Sequence, residues 1–123
     1  MMKAILLSLF VFSFSLWGAE PKVVNVDKLQ KRGEAGSQLT YIPNQDTPFT
    51  GKAVDFYING QKIEEVNYKD GKMDGLQTDW YENGQKGSEA IYKDGKAYGL
   101  WISYNEDGTE QGRATYKDGE RVD

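Results

Sequence analysis

The chain contains no cysteine and no histidine among its 123 residues. These absences exclude Cys–His and Ser–His–Asp catalytic arrangements, zinc sites of the ordinary ligand types, iron–sulfur or haem ligation by those residues, and any disulfide. Positive charge is also in short supply, since 15 Lys and Arg stand against 19 Asp and Glu, a formal charge of −4. Phosphate backbones need a basic patch, so a nucleic-acid partner is not expected. No apolar run reaches the ~20 residues of a membrane-spanning helix. The hydrophobic content, 38% of the chain, leans on aromatics at 13%, and Tyr, Trp and Phe suit pleated surfaces better than helical cores.

The longest apolar stretch follows Met1-Met2-Lys3 and runs without a charge over the 14 residues from Ala4 to Trp17. A short basic start and an apolar segment of that length read as a signal peptide, here residues 1–19, with Gly18 and Ala19 as small residues at the cut. Trp17 is large for the −3 position, and the lack of Cys excludes lipoprotein processing. The expectation is export to the periplasm, cell envelope or exterior. Loss of Lys3 leaves 14 basic against 19 acidic residues, a charge of −5.

Beyond the leader a period of 24 residues dominates. Gly51, Gly75 and Gly99 lie on it, as do Gly60, Gly84 and Gly108, and Gly71, Gly95 and Gly119. Tyr-Lys-Asp-Gly recurs unchanged at Tyr68, Tyr92 and Tyr116. Self-similarity at such a spacing marks a repeat architecture. Each period carries two turn signals around aromatic and β-branched runs, which predicts strands over 51–58, 61–69, 75–82, 85–93, 99–106 and 109–117. Connections this short forbid parallel crossovers, so the fold class is all-β, an antiparallel meander in a single twisted sheet. Residues 20–50 lie off the period and are expected to form an amino-terminal cap, with strands at Val23–Val26 and Leu39–Ile42 and a polar connection or helical turn over Asp27–Arg32. The repeat domain is 51–123.

Register follows from the turns. A two-residue loop at Asn83-Gly84 sets Trp80 opposite Gly87 and Tyr92 opposite Gly75, and neither face is then apolar. A three-residue loop, Glu82 to Gly84 with Gly84 left-handed, shifts the parity by one. Leu76, Thr78, Trp80, Ala90 and Tyr92 are then predicted to share a core face, with Val54, Phe56, Val66 and Tyr68 before them and Leu100, Ile102, Tyr104, Ala114 and Tyr116 after. The other face, expected to be wet, carries Asp55, Tyr57, Glu65, Gln77, Asp79, Tyr81, Glu89, Trp101, Ser103 and Arg113.

The recurring Tyr-Lys-Asp-Gly-Lys-x-x-Gly-Leu, followed by Trp80-Tyr81-Glu82-Asn83-Gly84-Gln85, resembles the variant MORN repeat. Over Leu39 to Gly119, with Pro48-Phe49-Thr50-Gly51 before the first repeat, the chain looks like the bacterial YwqK family of toxin–antitoxin antitoxins. The resemblance implies an antiparallel β-repeat sheet and a protein that binds and neutralises a partner toxin. MORN repeats more generally imply scaffolding and membrane association. Unlike a cytosolic antitoxin this chain carries an export signal, and its lysines are offset by acids.

Asp70, Asp94, Asp107 and Asp118 each precede a glycine, where Asp tolerates the left-handed region, and are read as turn residues. Asp55 and Asp79 recur at one lattice position near Glu65 and Glu89, but an open sheet supplies no cleft for paired-carboxylate chemistry. Asn105-Glu106-Asp107-Gly108 lacks the spacing of an EF-hand loop. No catalytic, cofactor or metal residue is assigned, and Tyr68, Tyr92 and Tyr116 read as core packing. Tyr57, Tyr81 and Trp101, aromatic among charges, with Asp79 and Arg113, form the candidate partner-binding set. The reading is an exported non-enzymatic binding module for a macromolecular partner, a protein in the first place. The alternative is an envelope protein contacting lipid or cell-wall polymer.

Overall fold

The computed structural model describes residues 22–123, so the signal-peptide expectation lies outside the described residues. The strands are β1 (Val23–Asn25), β2 (Gln30–Arg32), β3 (Leu39–Tyr41), β4 (Gly51–Phe56), β5 (Lys62–Lys69), β6 (Lys72–Trp80), β7 (Lys86–Lys93), β8 (Lys96–Tyr104), β9 (Glu110–Lys117) and β10 (Glu120–Arg121). One sheet runs β1-β4-β5-β6-β7-β8-β9-β10, in which β1 lies parallel to β4 and every other pair is antiparallel. The six-stranded meander is therefore extended by one short strand at each edge. β2 and β3 form a separate pair. The stretch Asp27–Arg32, expected as a connection or helical turn, divides between a 3-10 turn at Val26–Lys28 and strand β2.

Two kinds of turn alternate. Asp70 and Gly71 have φ of 50° and 82°, and the pairs Asp94-Gly95 and Asp118-Gly119 repeat these values within a few degrees. Two successive left-handed residues make the two-residue hairpin turn whose twist matches that of its strands. At the other end, Gly84 N donates to Tyr81 O at 2.9 Å, Tyr81 N donates to Gln85 O at 2.8 Å, and Gly84 has φ of 88°. That is the expected three-residue loop, and it recurs at Tyr57–Gln61 and Asn105–Thr109.

The face assignment drawn from that loop is corrected. Trp80 pairs with Lys86, but Asp79 pairs with Ser88, so Gly87 is extruded as a one-residue bulge just past the loop. The bulge recurs one period either way, at Ile63 between Lys62 and Glu64 and at Gln111 between Glu110 and Gly112. Each cancels the shift made by its loop and inverts every residue beyond it. One face carries the row Ala53, Val66, Gln77, Ala90, Trp101, Ala114. The opposite face carries Val54, Glu65, Thr78, Glu89, Ile102, Arg113. Trp101, expected on the wet face, stands instead beside the tyrosine stripe, and Trp80, expected beside it, lies on the reverse with Lys62 over its ring.

Burial is shared by both faces and concentrated at one end. Phe49, Ala53, Val66 and Ala90 are buried, and so is Val54 on the reverse. The cap closes that end: Thr40 N donates to Gly71 O, Phe49 N to Thr40 O, and Gly71 N to Phe49 O. The last of these bonds is a lattice contact, repeated by Gly95 N to Met73 O and Gly119 N to Ala97 O.

Candidate functional site

Tyr57, Asp79, Tyr81 and Trp101 lie on the first face, but Arg113 lies on the reverse, cross-strand from Ile102 and ion-paired with Glu110. The five residues expected to act together do not form one site. Tyr57 and Tyr81 serve the lattice, since their hydroxyls donate to Trp80 O at 2.8 Å and Tyr104 O at 2.7 Å, each in the next hairpin. Asn59 and Asn83 do the same towards Glu82 O and Glu106 O. These side chains join one repeat to the next. Asp79 accepts from the Ser88 hydroxyl at 2.6 Å.

Trp101 is half-buried, its ring centroid 5.8 Å from that of Tyr92 and 4.7 Å from that of Tyr116. Its Nε1 is buried and has no acceptor within hydrogen-bonding distance among the described residues. Comparison along the lattice explains what surrounds it. Ala53 and Gln77 precede Trp101 at its position, so this side chain grows, while Glu64, Ser88, Gly112 and Val66, Ala90, Ala114 show the flanking ones shrinking. A tall indole beside a floor cut down to Ser103, Gly112 and Ala114 leaves an open depression of about 500 Å³. The departures of the last repeat from its own pattern, legible by aligning the three periods, are the signal that face assignment alone misses.

Charge is distributed unequally between the faces. On the reverse, Glu65 meets Lys52 and Lys62, Glu89 meets Lys86, and Glu110 meets Arg113. Burial pushes Glu65 up, but the hydrogen bond from Lys52 and the charges of Lys62 and Lys52 more than offset it and hold the group below the usual range. On the first face Asp55, Glu64 and Asp79 stand cross-strand from one another, and among the described residues none of them is in an ion pair. Glu64 is raised by burial, then by the charges of Asp55 and Asp79. The partners foreseen for Asp55 and Asp79, Glu65 and Glu89, lie on the other side. Asp70, Asp94 and Asp118 are left-handed turn residues, and Asp107 accepts from Thr109 within its own loop.

Among the described residues no group of three metal-ligating side chains occurs, and no helix is long and apolar enough to cross a membrane. The architecture is that of an antiparallel β-repeat protein, a class in which each hairpin buries its surface against its neighbours. Residues 49–70 and 73–94 match the MORN repeat variant, the first two of the three periods. No curated protein matches the chain.

Proposed function

We propose that the protein is an exported, non-enzymatic binding module that engages a protein partner through the uncovered part of its first face, in the second and third repeats. The depression beside Trp101 carries this reading, because it arises where the last repeat departs from the one before it in three positions at once, Trp101, Ser103 and Gly112. Large aromatics flanked by small residues make the pockets in which interface energy concentrates. A binding rather than catalytic role fits carboxylates that lie along an open sheet, with no second group across a cleft to divide acid and base work. The likeness to the antitoxin family favours a toxic protein as the partner, met outside the cytoplasm, so the module would act as an immunity protein.

The test is retention of envelope proteins by the immobilised domain, followed by mass spectrometry, with Gly112→Phe as the filled-depression control. A protein held by the wild type and released by Gly112→Phe, at an unchanged melting temperature, supports the reading. Retention that survives Gly112→Phe and is lost with Leu100→Asp on the reverse overturns it.

A further inference from the structure

The cross-strand row Asp55, Glu64, Asp79, Ser88, Ser103, Gly112 traverses six strands and joins the acidic end of the first face to the depression. Three carboxylates occupy its first three places, on neighbouring strands, and neutral small residues occupy the rest. Tyr57 and Tyr81 flank the acidic part and are already spent on backbone carbonyls. At the far rim Arg121 is neutralised by Asp123 at 2.8 Å. The same sheet balances its acids on the reverse, where each of Glu65, Glu89 and Glu110 has a basic neighbour. Like charges set opposite one another in a sheet are destabilising, so the first face carries a cost that a cation from outside would relieve.

We infer that this face receives an extended basic segment of the partner, with a Lys or Arg side chain among Asp55, Glu64 and Asp79 and an apolar side chain in the depression beside Trp101. The inference rests on the proposed binding role and adds the chemistry of what is bound. Strands lie about 4.8 Å apart, so the carboxylate of β6 stands about 10 Å and that of β5 about 14 Å from the depression across β8, the span of about three to four extended residues. The cation and the apolar side chain are therefore separated by two to four positions in the bound segment. Complementary charge also steers encounter, which makes association sensitive to salt.

Blocked decapeptides of Ser and Gly carrying one Lys and one Leu three positions apart, and matched peptides with Glu for Lys or Ser for Leu, test this by titration into the isotopically labelled protein. The Lys–Leu peptide is expected to shift the amides of Ser88, Ser103 and Gly112 and the Trp101 indole N–H. Its Kd should weaken about tenfold or more in Glu64→Gln/Asp79→Asn, and more modestly with rising salt. Equal binding of the Glu peptide, or shifts confined to Leu76, Ile91 and Leu100 on the reverse, overturns the inference. So does silence from all three peptides. The binding role itself then stands or falls separately, on whether Gly112→Phe releases the native partner.

Discussion

Ala53 and Trp101 occupy the same place in the 24-residue lattice, yet one is wholly shielded from solvent and the other forms the wall of an open depression. Around Ala53 the chain buries Phe49, Val54 and Val66, and the cap strands bond to the turn at Gly71. Around Trp101 the neighbours Ile102, Tyr104, Ala114 and Tyr116 are half-buried. The two regions share turns, bulges and interstrand register, so what separates them is cover and the side chains that fill the shared positions. A repeated sheet makes the same surface many times, and one copy becomes a core where a cap closes it while another stays available where none does.

That contrast can be broken most severely at the aromatic anchors. Phe49→Ala removes a buried ring packed 5.7 Å from Tyr68 and should lower stability by about 3–5 kcal/mol in thermal or denaturant unfolding. Trp101→Ala removes a larger ring that is only partly buried and should cost clearly less. An equal or greater loss at Trp101 would show that the last repeat is as much a core as the first.

Two glycines sharpen the comparison. Gly71 and Gly119 have φ of 82° and 86°, so alanine at either pays the left-handed penalty of about 1–2 kcal/mol. A Cβ at Gly71 would also lie 2.9 Å from Leu39 Cβ and 3.0 Å from Pro48 Cβ, whereas at Gly119 nothing lies within 4 Å. Gly71→Ala should therefore lower the melting temperature well beyond Gly119→Ala. Matching losses would mean that the cap yields freely.

The joints between repeats come next. Tyr81→Phe deletes the bond to Tyr104 O and should cost about 1 kcal/mol. Asn105 takes the equivalent place in the last repeat and donates to Thr109 within its own loop, so Asn105→Ala should leave the pairing of neighbouring repeats intact. Amide exchange in β8 and β9 distinguishes the two variants.

The smallest effect is a pH dependence. Glu64 has its folded pKa raised, so its contribution favours folding below the unfolded value and is lost as pH rises through the folded one. Glu64→Gln should be stabilising at neutral pH, with the gain disappearing near pH 4. Glu65 is lowered, so its contribution is present at neutral pH and is lost as pH falls through the folded value. Glu65→Gln should be destabilising at neutral pH only. Melting curves of both variants from pH 3 to 8 read the difference, and parallel curves would count against the unequal charge of the two faces.

Glu64 and Glu65 also show where sequence reasoning stops. Adjacent in the chain, they sit on opposite faces and titrate in opposite directions, and which is which depends on a single-residue step in register. The 24-residue spacing, the glycines and the Asp-Gly and Asn-Gly pairs determined the antiparallel meander, the two-residue turns and the three-residue loops, because left-handed backbone demands particular residues at particular places. The bulges at Ile63, Gly87 and Gln111 leave no such mark. A bulge of this kind is satisfied by ordinary backbone angles, so residues as different as Ile, Gly and Gln occupy it here, and the interstrand hydrogen bonds alone reveal it. Its parity carried Trp101 to the side of Tyr92 and Tyr116, separated Arg113 from Asp79, and brought Glu64 between Asp55 and Asp79. Cover was likewise a tertiary outcome: the substitutions of the last repeat are legible in the sequence, but that the first repeat is closed over depends on where the cap docks, at the turn of Gly71.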